Sequence, residues 1–147
     1  FNDELRNLAQ DMLETMYAAP GIGLAAPQIG INVRLIVLDL SGGEEAGHQL
    51  ILANPEITDQ EGSEKGEEGC LSVPGFTAMV KRPTNISVCG QGLAGQPREI
   101  RAEGLLARAL CHEIDHLDGI LYLDRLSVLK RDLIRRKIRK KIRAGEW

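Results

Sequence analysis

The run HEIDH at residues 112–116 limits what this chain can fold into more than any other feature of its sequence. It lies in a stretch from Leu105 to Leu117 with few helix-breaking residues, which predicts a helix. Residues four apart stack on one face of a helix, so His112 and His116 converge on one point that Glu113 also reaches. This arrangement is typical of the metal site of a metal-dependent hydrolase. The alternative is a polar helix whose histidines face solvent or a hydrogen-bond partner.

The third metal ligand is the next question, because a hydrolytic site needs three protein ligands and one open position. In the metzincin pattern HExxHxxGxxH the third ligand is a histidine, but Tyr122 stands at that position. Thermolysin-like enzymes take a glutamate from a later helix, and beyond Asp124 only Asp132 and Glu146 are acidic. Both lie in or beside a strongly basic segment. A metallopeptidase therefore lacks an evident third ligand and stays an open alternative.

The three cysteines supply the remaining candidates. Cys70 lies in the segment EEGCLSVPG, between glycines and a proline, where the backbone could approach an ion closely. Cys111 precedes His112 on the predicted helix, so its side chain points about 100 degrees away from that ligand. For Cys89 and Cys111 we expect a role as small buried apolar residues. Cys70 is therefore the predicted third ligand.

The rest of the chain predicts an α+β fold, with a helix first, strands next and helices last. Periodic apolar residues predict an amphipathic helix over residues 3–17, ended by Pro20 and Gly21, and another from Leu126 to Ile142. Short β-branched and aliphatic runs predict antiparallel strands at 33–40, 49–53, 76–80, 85–89 and 98–102. Because no repeat or long linker divides the chain, residues 1–147 are predicted to form a single catalytic domain, with 125–143 as a basic C-terminal helix.

Charge is unevenly distributed along the chain, whose net charge is −3. Residues 125–143 hold ten Lys or Arg against one acid, Asp132, a local balance of +9, whereas residues 1–124 have a balance of −11. Such a basic segment is typical of a nucleic-acid contact, and the alternative is a solvated amphipathic helix. No apolar stretch approaches the roughly 18 residues of a membrane span, and no secretory signal is evident, so we expect neither a membrane partner nor export.

Three segments, taken in chain order, resemble the motifs of the peptide deformylase family. They are GIGLAAPQ at 21–28, EGCLS at 68–72 and HEIDH at 112–116, which match GxGLAAxQ, EGCLS and HExDH. Their spacing and the strands between them also fit, so the resemblance covers nearly the whole chain. Within the family, the chain resembles the type 1 branch, which is found in bacteria and organelles. The fold it implies has antiparallel strands surrounding a central HExxH helix, with N-terminal and C-terminal helices.

The resemblance also implies a ligand set and a catalytic acid–base group. Cys70, His112 and His116 would bind one divalent ion, ferrous iron natively, with zinc or nickel as alternatives. Thiolate ligation suits iron or zinc and does not choose between them. Glu113 would act as general base and then as general acid.

Further positions follow from the same resemblance. The Gln28 side-chain amide and the Leu71 backbone N–H would hold the developing oxyanion. Thr77 stands where many members have an arginine near the peptide, and Arg108 occupies a position that is often apolar. We expect the stem of Arg108 to pack at the rim of the methionine pocket with its charge outward. The residues implied to contact the substrate are Ile22, Gly23, Leu71, Leu105 and Ala109.

The activity implied is removal of the N-formyl group from the N-terminal methionine of nascent polypeptides, with release of formate. The expected partners are those peptides and, through the basic C-terminal helix, ribosomal RNA, and the chain is expected to be a monomer. Three cysteines without an export signal favour a reducing compartment, so a bacterial cytoplasm is expected, with an organelle as the alternative. An HExxH metallopeptidase and an inert metal-binding module stay open as other functions.

Overall fold

The computed structural model describes residues 1–45, 47–70 and 72–146, and within them the helices and strands follow the predicted order. The helices are α1 (Asp3–Ala18), α2 (Gly104–Leu117) and α3 (Val128–Arg143), with 3₁₀ turns at Ala26–Ile29 and Tyr122–Arg125. The strands are β1 (Gly23–Ala25), β2 (Leu35–Leu38), β3 (Leu50–Glu61), β4 (Glu64–Cys70), β5 (Val73–Arg82), β6 (Asn85–Gln91) and β7 (Pro97–Glu103).

The strands form two antiparallel sheets. The larger sheet has the order β1-β2-β3-β6-β7, and β4 pairs with β5 in a separate two-stranded sheet. Every pairing in both sheets is antiparallel. The α+β class predicted from the sequence is confirmed. The strand predicted at 33–40 is shorter, since only Leu35–Leu38 pairs, whereas β3 runs eight residues further than predicted, to Glu61.

Two helices cover opposite faces of the larger sheet. In β2, successive side chains point to opposite faces, and all four of its residues are buried. Leu35 and Val37 pack with the apolar side of α1, whereas Ile36 and Leu38 pack with that of α2. Because β7 runs directly into α2 through Gly104, whose φ is +60°, the HEIDH helix is laid on the sheet without an intervening loop.

A third apolar cluster joins the smaller sheet to the C-terminal part of the chain. Val73 and Val80 of β5 are buried against Tyr122, and Ile134 and Ile138 of α3 pack partly buried on this cluster. The remaining surface of α3 faces solvent, and none of its residues is fully buried. No helix among the described residues is both long and apolar enough to span a membrane.

Candidate metal centre and substrate cavity

Three potential ligand atoms, from two elements far apart in sequence, lie together beside α2. Cys70 ends β4, while His112 and His116 are one turn apart on α2. The Sγ of Cys70 lies 3.2 Å from the Nε2 of His116, which lies 3.0 Å from the Nε2 of His112. All three atoms lie within 4.8 Å of one another. One sulfur and two imidazole nitrogens are donors that divalent transition metals prefer, so this set fits one such ion.

Glu68 determines which nitrogen of His112 faces the centre. The Oε1 of Glu68 lies 2.8 Å from the Nδ1 of His112. A carboxylate at Nδ1 holds the proton there and leaves Nε2 free to bind an ion. Glu68 lies inside the EGCLS segment, but no role was predicted for it. The partners that reveal its role are 14 to 44 residues away in sequence, so local sequence carried no signal for it.

Arg82 joins Glu68 to α2 through a buried ion-pair network. Its Nε and one terminal nitrogen donate to the two carboxylate oxygens of Glu68, each at 2.9 Å. The other terminal nitrogen donates to Asp115, which also accepts two hydrogen bonds from Arg125. Buried carboxylates are tolerated when they are paired and fully hydrogen-bonded. Because Arg82 is on β5 and Asp115 on α2, the network fixes the smaller sheet against the helix that carries His112 and His116.

Arg108 points inward, so the expectation that its charge faces outward is wrong. The residue is 7% exposed, and its guanidinium donates to Glu68 Oε2 at 2.7 Å. It also donates to the backbone carbonyls of Val80, Glu64 and Gly66. A guanidinium group has five N–H donors, and the Glu68 carboxylate and these carbonyl oxygens of the smaller sheet accept hydrogen bonds from it.

Glu113 faces the same centre from the position after His112. It is 3% exposed, and its Oε1 lies 3.8 Å from the Nε2 of His116. Gly23 of β1 makes this placement possible, because a Cβ there would lie 2.8 Å from the Oε2 of Glu113. Burial raises the pKa of Glu113 to about 7, against the opposing charges of His112 and His116. Such a carboxyl group exchanges protons near neutral pH, as a general base and acid must.

Gln28 is oriented with its amide nitrogen toward the centre. Its Oε1 accepts a hydrogen bond from the backbone N–H of Ala25 at 2.9 Å. Its Nε2 therefore faces the other way and donates to the Oγ of Ser72 at 3.0 Å and to the Sγ of Cys70 at 3.4 Å. A donor fixed in this way suits an oxyanion site. The other predicted oxyanion donor, Leu71, lies outside the described residues.

The surroundings of Cys70 favour its thiolate form. Burial alone would raise the pKa of the thiol, but hydrogen bonds with His112 and His116 and from the backbone of Ser72 outweigh burial and lower the pKa to about 5. The Ser72 N–H lies 3.4 Å from the sulfur. The thiolate is the form of cysteine that binds a metal.

A cavity of about 550 Å³ lies beside these groups. Its wall is largely apolar, with Pro20, Val73 and Phe76 among the lining side chains. An apolar wall next to a few converging polar groups is typical of a site for a small ligand or a side chain. His116 is outside the wall, 5% exposed, in contact with Cys70. The predicted site residues in the wall are Ile22, Gly23, Gln28, Cys70, Leu105, Ala109, His112 and Glu113.

Known proteins resemble this chain over almost its whole length. The family whose sequence model matches it is described as polypeptide deformylase, over residues 1–132. A peptide deformylase of Acidobacterium capsulatum is 55% identical over 147 residues, all of this chain and 86% of that protein. One from Thermodesulfovibrio yellowstonii is 56% identical over 140 residues, 95% of this chain and 85% of that protein. The crystal structure of a peptide deformylase from Legionella pneumophila matches with a TM-score of 0.89 and 47% identity, covering 98% of this chain and 84% of that one.

Proposed function

This chain belongs to the peptide deformylase family, and on that premise we propose which of its residues carry out the reaction. The protein is a metal-dependent hydrolase that removes the N-formyl group from the N-terminal methionine of nascent polypeptides and releases formate. We propose that Cys70, His112 and His116 hold its metal ion. The observation that carries this proposal is the convergence of these three donor atoms within 4.8 Å.

We propose ferrous iron as the native ion, with zinc or nickel as alternatives that the same donors accept. When bound, the ion supplies Lewis-acid polarisation of the formyl oxygen and increases the acidity of water. Metal analysis of protein purified without oxygen tests the identity of the ion. We expect close to one iron atom per chain, and zinc alone at that stoichiometry would contradict the proposal.

Glu113 is the group proposed to move protons. It takes a proton from the attacking water and then delivers one to the methionine nitrogen as the C–N bond to the formyl carbon breaks. Its burial, its position beside His112 and His116, and a pKa of about 7 support both roles. Because Glu113 is almost fully enclosed, its proton is delivered to the substrate rather than lost to bulk water.

The developing negative charge on the formyl oxygen needs donors that are already in place. We propose that the Nε2 of Gln28 and the backbone N–H of Leu71 serve as these donors. The hydrogen bond from Ala25 to the Oε1 of Gln28 supports this role, because it keeps the amide from turning its oxygen toward the centre. Ser72 accepts from the same nitrogen and holds it in position from the other side.

The substrate backbone and its methionine side chain are proposed to occupy different parts of the cavity. Ile22, Gly23 and Leu71 would pair with the peptide in the manner of a strand. Leu105 and Ala109 of α2 would form part of the wall around the methionine side chain. Leu105 is 56% exposed and Ile22 is 38% exposed, so both offer apolar surface that a bound substrate would cover.

Formate release from formyl-Met-Ala, with acetyl-Met-Ala as the control, tests the activity. We expect formate from formyl-Met-Ala. We expect no removal of the acetyl group from acetyl-Met-Ala and no cleavage of the Met–Ala bond. Cleavage of the peptide bond would favour a metallopeptidase, and metal binding without formate would favour an inert module.

Cys70→Ala tests the ligand set, and we expect it to abolish stoichiometric metal binding. Cys89→Ala is the matched control, because Cys89 is outside the ligand group and is exposed; the expectation that Cys89 is buried was wrong, whereas Cys111 is buried as expected.

We propose that α3 docks on ribosomal RNA. Its apolar residues Ile134 and Ile138 pack on the smaller sheet, which leaves most of its cationic side chains in solvent. Of the ten basic residues at 125–143, Arg125 donates a hydrogen bond to Asp115, and Arg135 lies 3.9 Å from Asp124. The exposed cations of α3 would contact phosphates, and a deformylase gains from such a contact because its substrates leave the ribosome.

We also propose that the protein works as a monomer in the cytoplasm of a bacterium, with an organelle as the alternative location. The support is that its relatives in Acidobacterium capsulatum and Thermodesulfovibrio yellowstonii are bacterial and that nascent formylated chains are its substrates. Its elution in size-exclusion chromatography tests the oligomeric state, and a dimer would contradict the proposal.

A further inference from the structure

Arg108 makes contacts that the binding of substrate alone would not require. It lies one turn before His112 on α2, and both side chains reach the same carboxylate, Glu68. Arg108 donates to the Oε2 of Glu68 at 2.7 Å, while the Nδ1 of His112 lies 2.8 Å from Oε1. Arg108 and His112 therefore hold opposite oxygens of one carboxyl group, and any rotation of that group would disturb the bond to His112.

The same guanidinium also connects the two elements that carry the ligands. Besides Glu68, it donates to the Val80 carbonyl of β5 at 2.8 Å and to the Glu64 carbonyl of β4 at 3.0 Å. Cys70 ends β4, whereas His112 is on α2 with Arg108. The position of the sulfur relative to the imidazoles thus depends on how β4 lies against α2, which these hydrogen bonds fix.

Gly66 shows that the backbone of β4 is shaped around this side chain. A Cβ at Gly66 would lie 2.7 Å from both Cζ and Nε of Arg108, closer than real contacts allow. The φ of Gly66 is not positive, so a glycine is not needed there for backbone conformation. The absence of a side chain at Gly66 therefore serves to admit the guanidinium.

We propose that Arg108 is a positioning residue of the metal centre, which orients His112 through Glu68 and holds the Cys70 strand against the helix with both histidines. This inference rests on the proposed ligand set of Cys70, His112 and His116. Outer partners of metal ligands typically change metal affinity or activity by 10–100-fold when they are removed.

The test compares how quickly cobalt-loaded wild-type protein and Arg108→Met lose their ion to an excess of chelator. Methionine keeps the apolar stem but removes all five donors. We expect metal loss at least about tenfold faster, together with a changed visible spectrum of the thiolate-ligated cobalt. Arg108→Lys, which keeps one cation near Glu68 but cannot bridge the carbonyls, should fall between the two. Arg101→Met is the matched control, because the Arg101 side chain is 85% exposed and lies 3.7 Å from Glu99 on the surface.

Gly66→Ala provides an independent variant that leaves Arg108 in the sequence and displaces its guanidinium. We expect it to speed metal loss in the same direction, with the cobalt spectrum moving as in Arg108→Met. If both variants are folded but lose cobalt at the wild-type rate with the wild-type spectrum, Arg108 has no positioning role. If wild-type protein itself retains no stoichiometric ion, the failure lies in the ligand set, so the two outcomes are distinguishable.

Discussion

Glu113 is the residue on which the proposed proton transfers depend. Glu113→Gln keeps the shape of the side chain and leaves Cys70, His112 and His116 in place. We therefore expect full metal content and a kcat at least about 100-fold lower, the effect typical of losing a general base. Metal analysis and formate release on the same sample measure both quantities. Turnover close to wild type would remove Glu113 from the mechanism.

Gln28 is expected to act on the transition state rather than on substrate binding. Gln28→Ala removes the amide donor and should cost about 3 kcal/mol of transition-state stabilisation, seen mainly as a lower kcat. Ser72→Ala is the comparison variant, since it removes an acceptor beside Gln28 but leaves the donor itself. An effect of Gln28→Ala confined to KM would make this side chain a binding residue instead.

Tyr17 and Asp39 form a titrating pair away from the metal centre. The Tyr17 hydroxyl donates to Asp39 at 2.6 Å. Hydrogen bonds from Ser41 and Tyr17 lower the pKa of Asp39, so its contribution to stability is present above the ordinary carboxyl pKa. That contribution is lost as the pH falls through the lowered, folded-state value. Tyr17→Phe should therefore reduce the urea midpoint more at pH 7 than at pH 2.5, and an equal reduction at both would contradict this assignment.

The helix α3 allows its packing and its charge to be tested separately. Ile134 and Ile138 pack on the smaller sheet, so truncation before Leu133 would disturb that packing as well as remove charge. Replacing only exposed cations avoids this problem. The variant carries glutamine at Arg136, Arg139, Lys140 and Arg143.

We expect this glutamine variant to bind ribosomes more weakly and with a shallower salt dependence. The slope of log K against log salt should fall by about one for each phosphate contact removed. Hydrolysis of a short formyl-peptide should stay near wild type. Arg98→Gln with Arg101→Gln on β7 is the control, and co-sedimentation over a salt series is the measurement. If ribosome binding is unchanged at every salt concentration, α3 has only a structural role.

At the scale of elements, the sequence predicted what local periodicity encodes. The bounds of α1 and α2 were predicted to within one residue and those of α3 to within two, because apolar residues recur along one face of each. β4 was missed because EKGEEGC has neither alternation nor β-branched residues. Its buried Glu68 is stabilised by Arg82, Arg108 and His112, which belong to other elements. The inward orientation of Arg108 was missed for the same reason, since its acceptors are backbone carbonyls that only the folded chain brings together.

At the scale of the whole molecule, metal binding is expected to be linked to stability. The proposed ligands come from separate elements and converge only in the folded chain, so an ion bound by them would stabilise the folded state selectively. At a free zinc concentration 100 times Kd, the increase in the free energy of unfolding is about 2.7 kcal/mol. For a chain of this size the Tm should rise by roughly 5–10 °C. Calorimetry of the metal-free protein with and without added zinc measures this shift in Tm. A similar rise in Tm for Cys70→Ala would contradict the proposed ligand set.

The distance in sequence between Cys70 and His116 has a consequence during synthesis. The two residues are 46 positions apart, so at 5–20 residues per second a ribosome needs roughly 2–9 s to add the second after the first. Throughout that interval the three proposed ligands, Cys70, His112 and His116, are not all present, so the proposed metal centre cannot be complete. On this proposal, a new copy is therefore inactive until His116 has been added. The chains that leave the ribosomes in those seconds are served by older, metal-loaded copies of the enzyme.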